Sequence, residues 1–282
     1  MTIREFVLSA RARLVAAGID PNEAAMDAEL LARHVLEWDR SRFLAHDIEA
    51  APPTFRAAFD TLVARRERRE PVSEILGRRE FWGLDFEVTR DVLTPRPETE
   101  ILLEEALSHV SGKAPARVVD VGTGSGCLAV CLARELPGRE VTATDVSAAA
   151  LAVARRNAER HGVAGLITFR QTSLLEGLRL PFDLIISNPP YVPHADLPAL
   201  PPEVRDYEPV QALDGGADGL DVIRALMRDA GGALTRGGLI AVEFGYGQEA
   251  GVRQAVSAAG LQLITIRADL QGIPRTVVAK RG

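Results

Sequence analysis

The sequence predicts an α/β fold: a Rossmann-like, seven-stranded, mostly parallel sheet with a small all-helical N-terminal domain ahead of it. Three observations carry this. From Arg117 onward, short apolar runs alternate with helical patterns, the signature of a parallel sheet covered on both faces. The first of those runs leads directly into a glycine-rich turn, "DVGTGSG", and then a helix. Before about residue 70 the apolar spacing is helical.

In chain order, "TIRE" at Thr2 to Glu5 reads as a capping box, and Asp20-Pro21 with Glu23 reads as an N-cap with proline at the first helical position. Helical spacing then runs through "AMDAELLARHVLEW", with Gly18 closing the preceding helix. Residues 1–72 are accordingly assigned to a helical domain that docks the substrate. Residues 73–95 are assigned to a hairpin linker, because "REFWGLDFEVTRDV" alternates and breaks at Gly83. Residues 96–282 form the third region. "LTPRPETE" opens a helix reaching about Val110, and strands are expected near 117–121, 140–145, 166–171, 182–187, 238–243, 260–266 and 274–280. The last two lie too close for a helical crossover and should be an antiparallel pair at the sheet end.

Composition limits the function classes. The net charge of −6 argues against gripping bare phosphate backbone, which rests on Lys and Arg. The one basic run, "ARRERRE" at Ala64 to Glu70, reads as a solvated helix face. No apolar run approaches a membrane span and the N-terminus is charged throughout, so a cytoplasmic protein without membrane contact is expected. Cys127 and Cys131 sit four apart in a helical pattern and read as core residues in a reducing compartment, with no metal role.

The candidate chemistry lies in two stretches. In "RVVDVGTGSGCLAV", Gly122, Gly124 and Gly126, with Thr123 and Ser125 between them, permit a tight turn and close ligand approach at a helix N-terminus. Asp145 ends the second strand, "VTATD", where a carboxylate can accept both hydroxyls of a ribose. A dinucleotide fingerprint would need a third glycine at position 127, which is cysteine here. The spacing suits S-adenosyl-L-methionine, which has a short amino-acid arm and no pyrophosphate, better than NAD.

The second stretch is "SNPPYV", after the apolar run "FDLII". Adjacent prolines remove two backbone donors and force a rigid loop at a strand end. Strand order places Asn188 beside the glycine turn. Its side-chain oxygen and the Pro189 carbonyl can accept both hydrogens of a planar N–H₂ group, Pro190 stiffens the loop, and Tyr191 can stack on the planar group. Such a clamp favours a pyramidal nitrogen whose lone pair faces an electrophilic methyl.

The set "FWGLDFEV", "VLTPRPETE", "DVGTGSG", "SNPPY" and "YEPVQALDGGADGL", in that order, resembles the HemK/PrmC-type peptide chain release factor glutamine methyltransferases over nearly the full length. The resemblance implies a class I S-adenosylmethionine-dependent methyltransferase fold. It also implies methyl transfer to the side-chain nitrogen of the glutamine in a Gly-Gly-Gln motif of a peptide chain release factor, in translation termination. Carried over, Gly122 to Gly126 would line the methionine arm, Asp145 the ribose, and Asn188 to Tyr191 the glutamine amide, with Asn188 also near the methyl donor. The chain departs from the pattern at "TSLL", Thr172 to Leu175, where Ser173 stands for an acid and Leu174 for a frequent aromatic, so the adenine contacts are its own.

Further candidates are Glu208, which either positions the substrate loop or caps a turn, and Phe81 and Trp82, which either wall the glutamine pocket or pack. Arg96 and Glu98 lie near the pocket mouth by the resemblance, and His194 reads as a solvent-facing loop residue. The alternative function is nucleic-acid exocyclic-amine methylation at adenine N6 or guanine N2. It needs the same acceptor pair but also a basic or base-flipping surface, so stable nucleic-acid binding is not expected.

Overall fold

The structure, a computed structural model, describes residues 1–110 and 117–282. It divides into two compact units, one of residues 1–78 with 201–207, the other of residues 79–200 with 208–282.

The first unit is helical: α1 (Ile3–Ala16), α2 (Pro21–Leu36), α3 (Arg40–His46), α4 (Phe55–Glu67) and α5 (Val72–Leu76). The expected capping box forms, with Thr2 Oγ1 accepting from Glu5 N at 3.2 Å and Glu5 accepting from Thr2 N at 2.8 Å. Asp20 caps α2 with Pro21 behind it. Leu14, Leu31, Phe55, Phe59 and Val63 fill the core, and the rings of Phe55 and Phe59 stack at 5.0 Å. Helix α5 occupies part of the stretch read as a hairpin, because Pro71 starts a turn of helix and Gly77, at φ 67°, ends it.

The basic run is not a solvated face. Arg66 is only 1% exposed. Its guanidinium donates to Asp27 at 2.6 Å, Glu23 at 2.8 Å and Glu203 at 2.8 Å. Glu203 lies in α9 (Pro202–Arg205), within the returning segment 201–207, and also takes two bonds from Arg69 at 2.6 and 2.8 Å. Arg65 pairs with Glu70. Charge counting along the chain missed these carboxylates because three of them, Glu23, Asp27 and Glu203, come from remote segments.

The second unit begins within β1 (Arg78–Phe81), which forms a hairpin with β2 (Leu84–Glu87), turned at Trp82 and Gly83, both with positive φ. Helix α6 (Pro97–Val110) precedes the main sheet. Its strands are β3 (Arg117–Val121), β4 (Glu140–Asp145), β5 (Ile167–Gln171), β6 (Phe182–Ser187), β7 (Leu234–Glu243), β8 (Gln262–Ala268) and β9 (Pro274–Lys280). Between them lie α7 (Cys127–Glu135), α8 (Ala148–Arg160), α10 (Asp221–Ala233) and α11 (Glu249–Ala258). Strand order is β5-β4-β3-β6-β7-β9-β8; every pairing as far as β7 is parallel, and β9 runs antiparallel to both β7 and β8. The expected terminal antiparallel pair is present, with β9 inserted inside the edge strand.

Successive strand residues feed opposite faces. Val118, Leu184 and Ile186 pack with α6 and α7, while Val119, Ile185 and Val242 pack with α10 and α11. Because β4 lies on one side of β3 and β6 on the other, the chain order reverses there. The carboxyl ends of these three strands open a crevice at the reversal. Among the described residues no helix is long and apolar enough to cross a membrane.

Candidate active site

A cleft of about 840 Å³ occupies that crevice, wholly within the second unit. Its walls come from the loops after β3, β4, β5 and β6, the segment before α6, and the stretch Pro209 to Gly216.

The loop after β3 is tied down from both sides. Thr123 N donates to the Thr144 carbonyl at 2.8 Å, and Gly124 N donates to Asp145 Oδ2 at 2.9 Å. Asp145 Oδ1 accepts from Ser147 N at 2.9 Å. Each oxygen thus holds one backbone N–H and keeps a lone pair for a hydroxyl. Beneath the loop, Asp120 is fully buried, and its Oδ2 accepts from Thr123 Oγ1 at 2.6 Å and Ala129 N at 3.1 Å. Burial pushes its carboxyl up to about 7 against the pull of those bonds. Gly122, Thr123, Gly124 and Ser125 line the cleft; Gly126 does not. At φ 82°, a Cβ on Gly126 would stand 2.9 Å from the Ala154 Cβ, so this glycine serves the close approach of α7 and α8. Leu174 lines the cleft with Thr172 and Ser173, and its carbonyl accepts from Thr144 Oγ1 at 3.2 Å.

The loop after β6 is anchored by Ser187, whose hydroxyl donates to the Val121 carbonyl at 2.7 Å. Asn188, Pro189 and Pro190 line the cleft. Asn188 Nδ2 donates to Thr99 Oγ1 at 3.0 Å, and Thr99 Oγ1 donates to Glu243 Oε2 at 2.8 Å. Asn188 Oδ1 is buried and has no hydrogen-bond partner among the described residues. Tyr191 is placed differently from the stacking expected of it. Its ring is absent from the cleft lining and packs against the α10–α11 core, with its hydroxyl donating to Glu243 Oε1 at 3.2 Å. Burial raises both Tyr191 and Glu243, the latter to about 7.

The downstream "DGGADGL" stretch lies directly on this loop. Val192 N donates to the Leu213 carbonyl at 2.8 Å, and Gly215 N to the Val192 carbonyl at 2.9 Å. Gly219 has φ 77°, and a Cβ there would meet the Tyr191 carbonyl at 2.1 Å. Glu208 is buried and accepts from Arg96 Nη2 at 2.6 Å and Thr94 N at 3.4 Å, so it holds the cleft-lining Pro95–Arg96 segment. Burial raises its carboxyl despite Arg96. Phe81 is core, and Trp82 packs on that core and donates to Glu135 at 2.9 Å; neither walls the cleft. Glu98 is outside the lining too, while His194 is exposed and pairs with Asp214 at 2.8 Å. Burial pushes the Cys127 thiol up to about 12 and raises Cys131, in keeping with core residues, although Cys127 also touches the cleft.

Two residues escaped sequence reasoning: Thr99 and Glu243. Glu243 had a signal, since it ends the strand run "LIAVE" as Asp145 ends "VTATD". Thr99 had none beyond its place in the first turn of α6.

The reversal-point cleft, with a glycine loop, an acid at the tip of the neighbouring strand and a buried amide oxygen, has the organisation of the class I S-adenosylmethionine-dependent methyltransferases. A methyltransferase small domain model matches residues 97–199, and a PrmC N-terminal domain model matches residues 5–77. The chain is 46% identical to the release factor glutamine methyltransferase of Cereibacter sphaeroides over 95% of its length and 94% of that protein's. It is 45% identical to the Geobacter sulfurreducens protein of the same name, covering 100% of this chain and 97% of that one. The chain belongs to the release factor glutamine methyltransferase family. In fold it is also similar to a methyltransferase from Pyrococcus furiosus, with a TM-score of 0.55 at 22% identity over 72% of this chain and 91% of that one.

Proposed function

We propose that this protein methylates the side-chain amide nitrogen of the glutamine in the Gly-Gly-Gln motif of peptide chain release factors, in the cytoplasm, with S-adenosyl-L-methionine as donor. The observation that carries the reading is Asn188, a cleft residue whose buried side-chain oxygen has no hydrogen-bond partner among the described residues. Such an atom costs free energy unless a ligand donates to it, and a primary amide brings two donors.

The residues present fit the donor. Asp145 has lone pairs left for a ribose, Gly122 to Ser125 offer a close-approach loop for the amino-acid arm, and Leu174 and Val146 give apolar walls for a base. When bound, the donor would supply an electrophilic methyl group, the S–CH3 bonding pair staying with sulfur as a neutral thioether. Asn188 Oδ1 and the Pro189 carbonyl accept the two glutamine N–H bonds and orient the nitrogen lone pair, while the rigid Pro189–Pro190 segment holds that geometry. One N–H proton leaves to water once the new N–C bond has formed.

The helical unit, residues 1–78 with the segment 201–207, is the docking element for the release factor. A net charge of −6 gives little support to a nucleic-acid substrate.

Mass spectrometry of a release factor incubated with the protein and donor tests the function; a gain of one methylene on the Gly-Gly-Gln glutamine is expected. In Gly-Gly-Gln peptides, replacing glutamine by glutamate should abolish transfer, because an ionised carboxylate brings no donors to two acceptor oxygens. Comparable methylation of the glutamate peptide would refute the amide clamp.

A further inference from the structure

We propose that Glu243 and Thr99 are positioning residues that dictate which end of the Asn188 amide faces the substrate, a reading that rests on the amide clamp proposed above. An asparagine amide has nearly the same shape when its oxygen and nitrogen are exchanged, yet only the oxygen can accept from a glutamine N–H₂. Something in the protein must break that symmetry.

The hydrogen-bond chain does so. A threonine hydroxyl has one hydrogen. An ionised carboxylate accepts only, so the Thr99 hydrogen is committed to Glu243 Oε2 at 2.8 Å. The remaining face of Thr99 Oγ1 presents lone pairs, and only the N–H₂ end of Asn188 can sit 3.0 Å from it. The oxygen end is left for the glutamine. Glu243 Oε1 takes the Tyr191 hydroxyl at 3.2 Å, so one buried carboxylate holds both ends of the loop from Asn188 to Tyr191. Gln248 secures the same loop through Nε2 to the Tyr191 carbonyl at 2.8 Å.

The relay works only while Glu243 is ionised. Thr99 and Tyr191 favour that form by donating, and Arg275 on β9 favours it by charge. Burial and the charge of Glu98 on α6 oppose it, leaving the carboxyl at about 7. The Cys127 thiol on α7, pushed up to about 12, stays neutral. Loss of a proton from Glu243 should therefore appear as an acid limb in turnover.

The test is single-turnover and steady-state kinetics on a release factor, with calorimetry for donor binding. Thr99→Val and Glu243→Gln nearly conserve side-chain volume, and unchanged donor affinity reports an intact fold. Each should lower kcat about 10–100-fold, the range for groups that orient a ligating side chain, with KM for the release factor little changed. Thr99→Ser keeps the hydroxyl and should restore turnover. The acid limb of kcat near pH 7 should vanish in Glu243→Gln, whose amide has no charge to lose. Wild-type kcat in Thr99→Val and Glu243→Gln, or failure of Thr99→Ser to rescue, overturns the relay while leaving the clamp standing. Undiminished turnover in Asn188→Ala instead overturns the clamp, and the relay with it.

Discussion

The main-chain N–H of Gly124 donates to Asp145 Oδ2 over 2.9 Å, which makes the turn after β3 and the tip of β4 one piece before any ligand binds. The second oxygen does the same for Ser147, at the start of the next helix. A side chain expected to hold a ribose therefore also holds the loop that shapes the rest of the pocket.

Asp145→Ala should weaken S-adenosyl-L-methionine binding by at least about 1.5–3 kcal/mol, the worth of hydrogen bonds to a charged group, with a further loss from the released loop. Calorimetry measures the affinity and thermal melting checks the fold. Unchanged affinity in a folded variant removes Asp145 from the donor site.

Gly126→Ala should act on stability before it acts on binding. The backbone sits at φ 82°, and the new Cβ would lie 2.9 Å from the Ala154 Cβ. Left-handed backbone costs about 1–2 kcal/mol for a non-glycine residue, and overpacking about 1–3 kcal/mol more. Denaturant unfolding should show this loss. A variant of native stability with impaired donor binding would return Gly126 to the pocket.

Arg66→Met should destabilise the helical unit by about 3–5 kcal/mol, because Asp27, Glu23 and Glu203 would lose the cation they share. Trp38 belongs to that unit and reports its unfolding by fluorescence. A change below about 1 kcal/mol, the scale of a surface ion pair, would mean the charges rearrange freely.

Stability should fall as pH rises from about 5 to 8. Asp120 and Glu243, both raised to about 7, bind protons in the folded state that the unfolded chain has already released. Their contribution is complete below the ordinary carboxylate range and is lost as pH climbs through about 7. Glu208 and Glu23, also raised by burial, act in the same sense. His34, lowered by burial, opposes them by favouring the neutral ring as pH rises through its ordinary value. Carboxylates held low by arginine, such as Glu67 and Glu87, act only at more acid pH. Thermal midpoints across this range decide the sign, and a midpoint that rises steadily would contradict it.

The sequence by itself determined most of the elements and their order, α5 excepted, because each rests on information within a few residues. Short apolar runs marked β3, β4 and β6, Thr2 and Asp20 marked helix starts, and the proline pair marked the loop after β6. Topology rules then brought the glycine turn, Asp145 and Asn188 to one crevice, since strand-order reversal follows from the alternation of strands and helices. What only the tertiary structure decided are contacts between distant positions. Gly126 reads as a loop glycine until Ala154 is seen against it, and Arg66 as a surface cation until Asp27 and Glu203 surround it. Tyr191 reads as a stacking platform until its hydroxyl is found on Glu243. Thr99 and Glu243 lie 144 residues apart and carry no local pattern that joins them. The physical reason is the same in each case: periodicity fixes which way a side chain leaves the backbone, but a buried polar atom must be satisfied by whatever the fold brings near it, and that partner is set by packing.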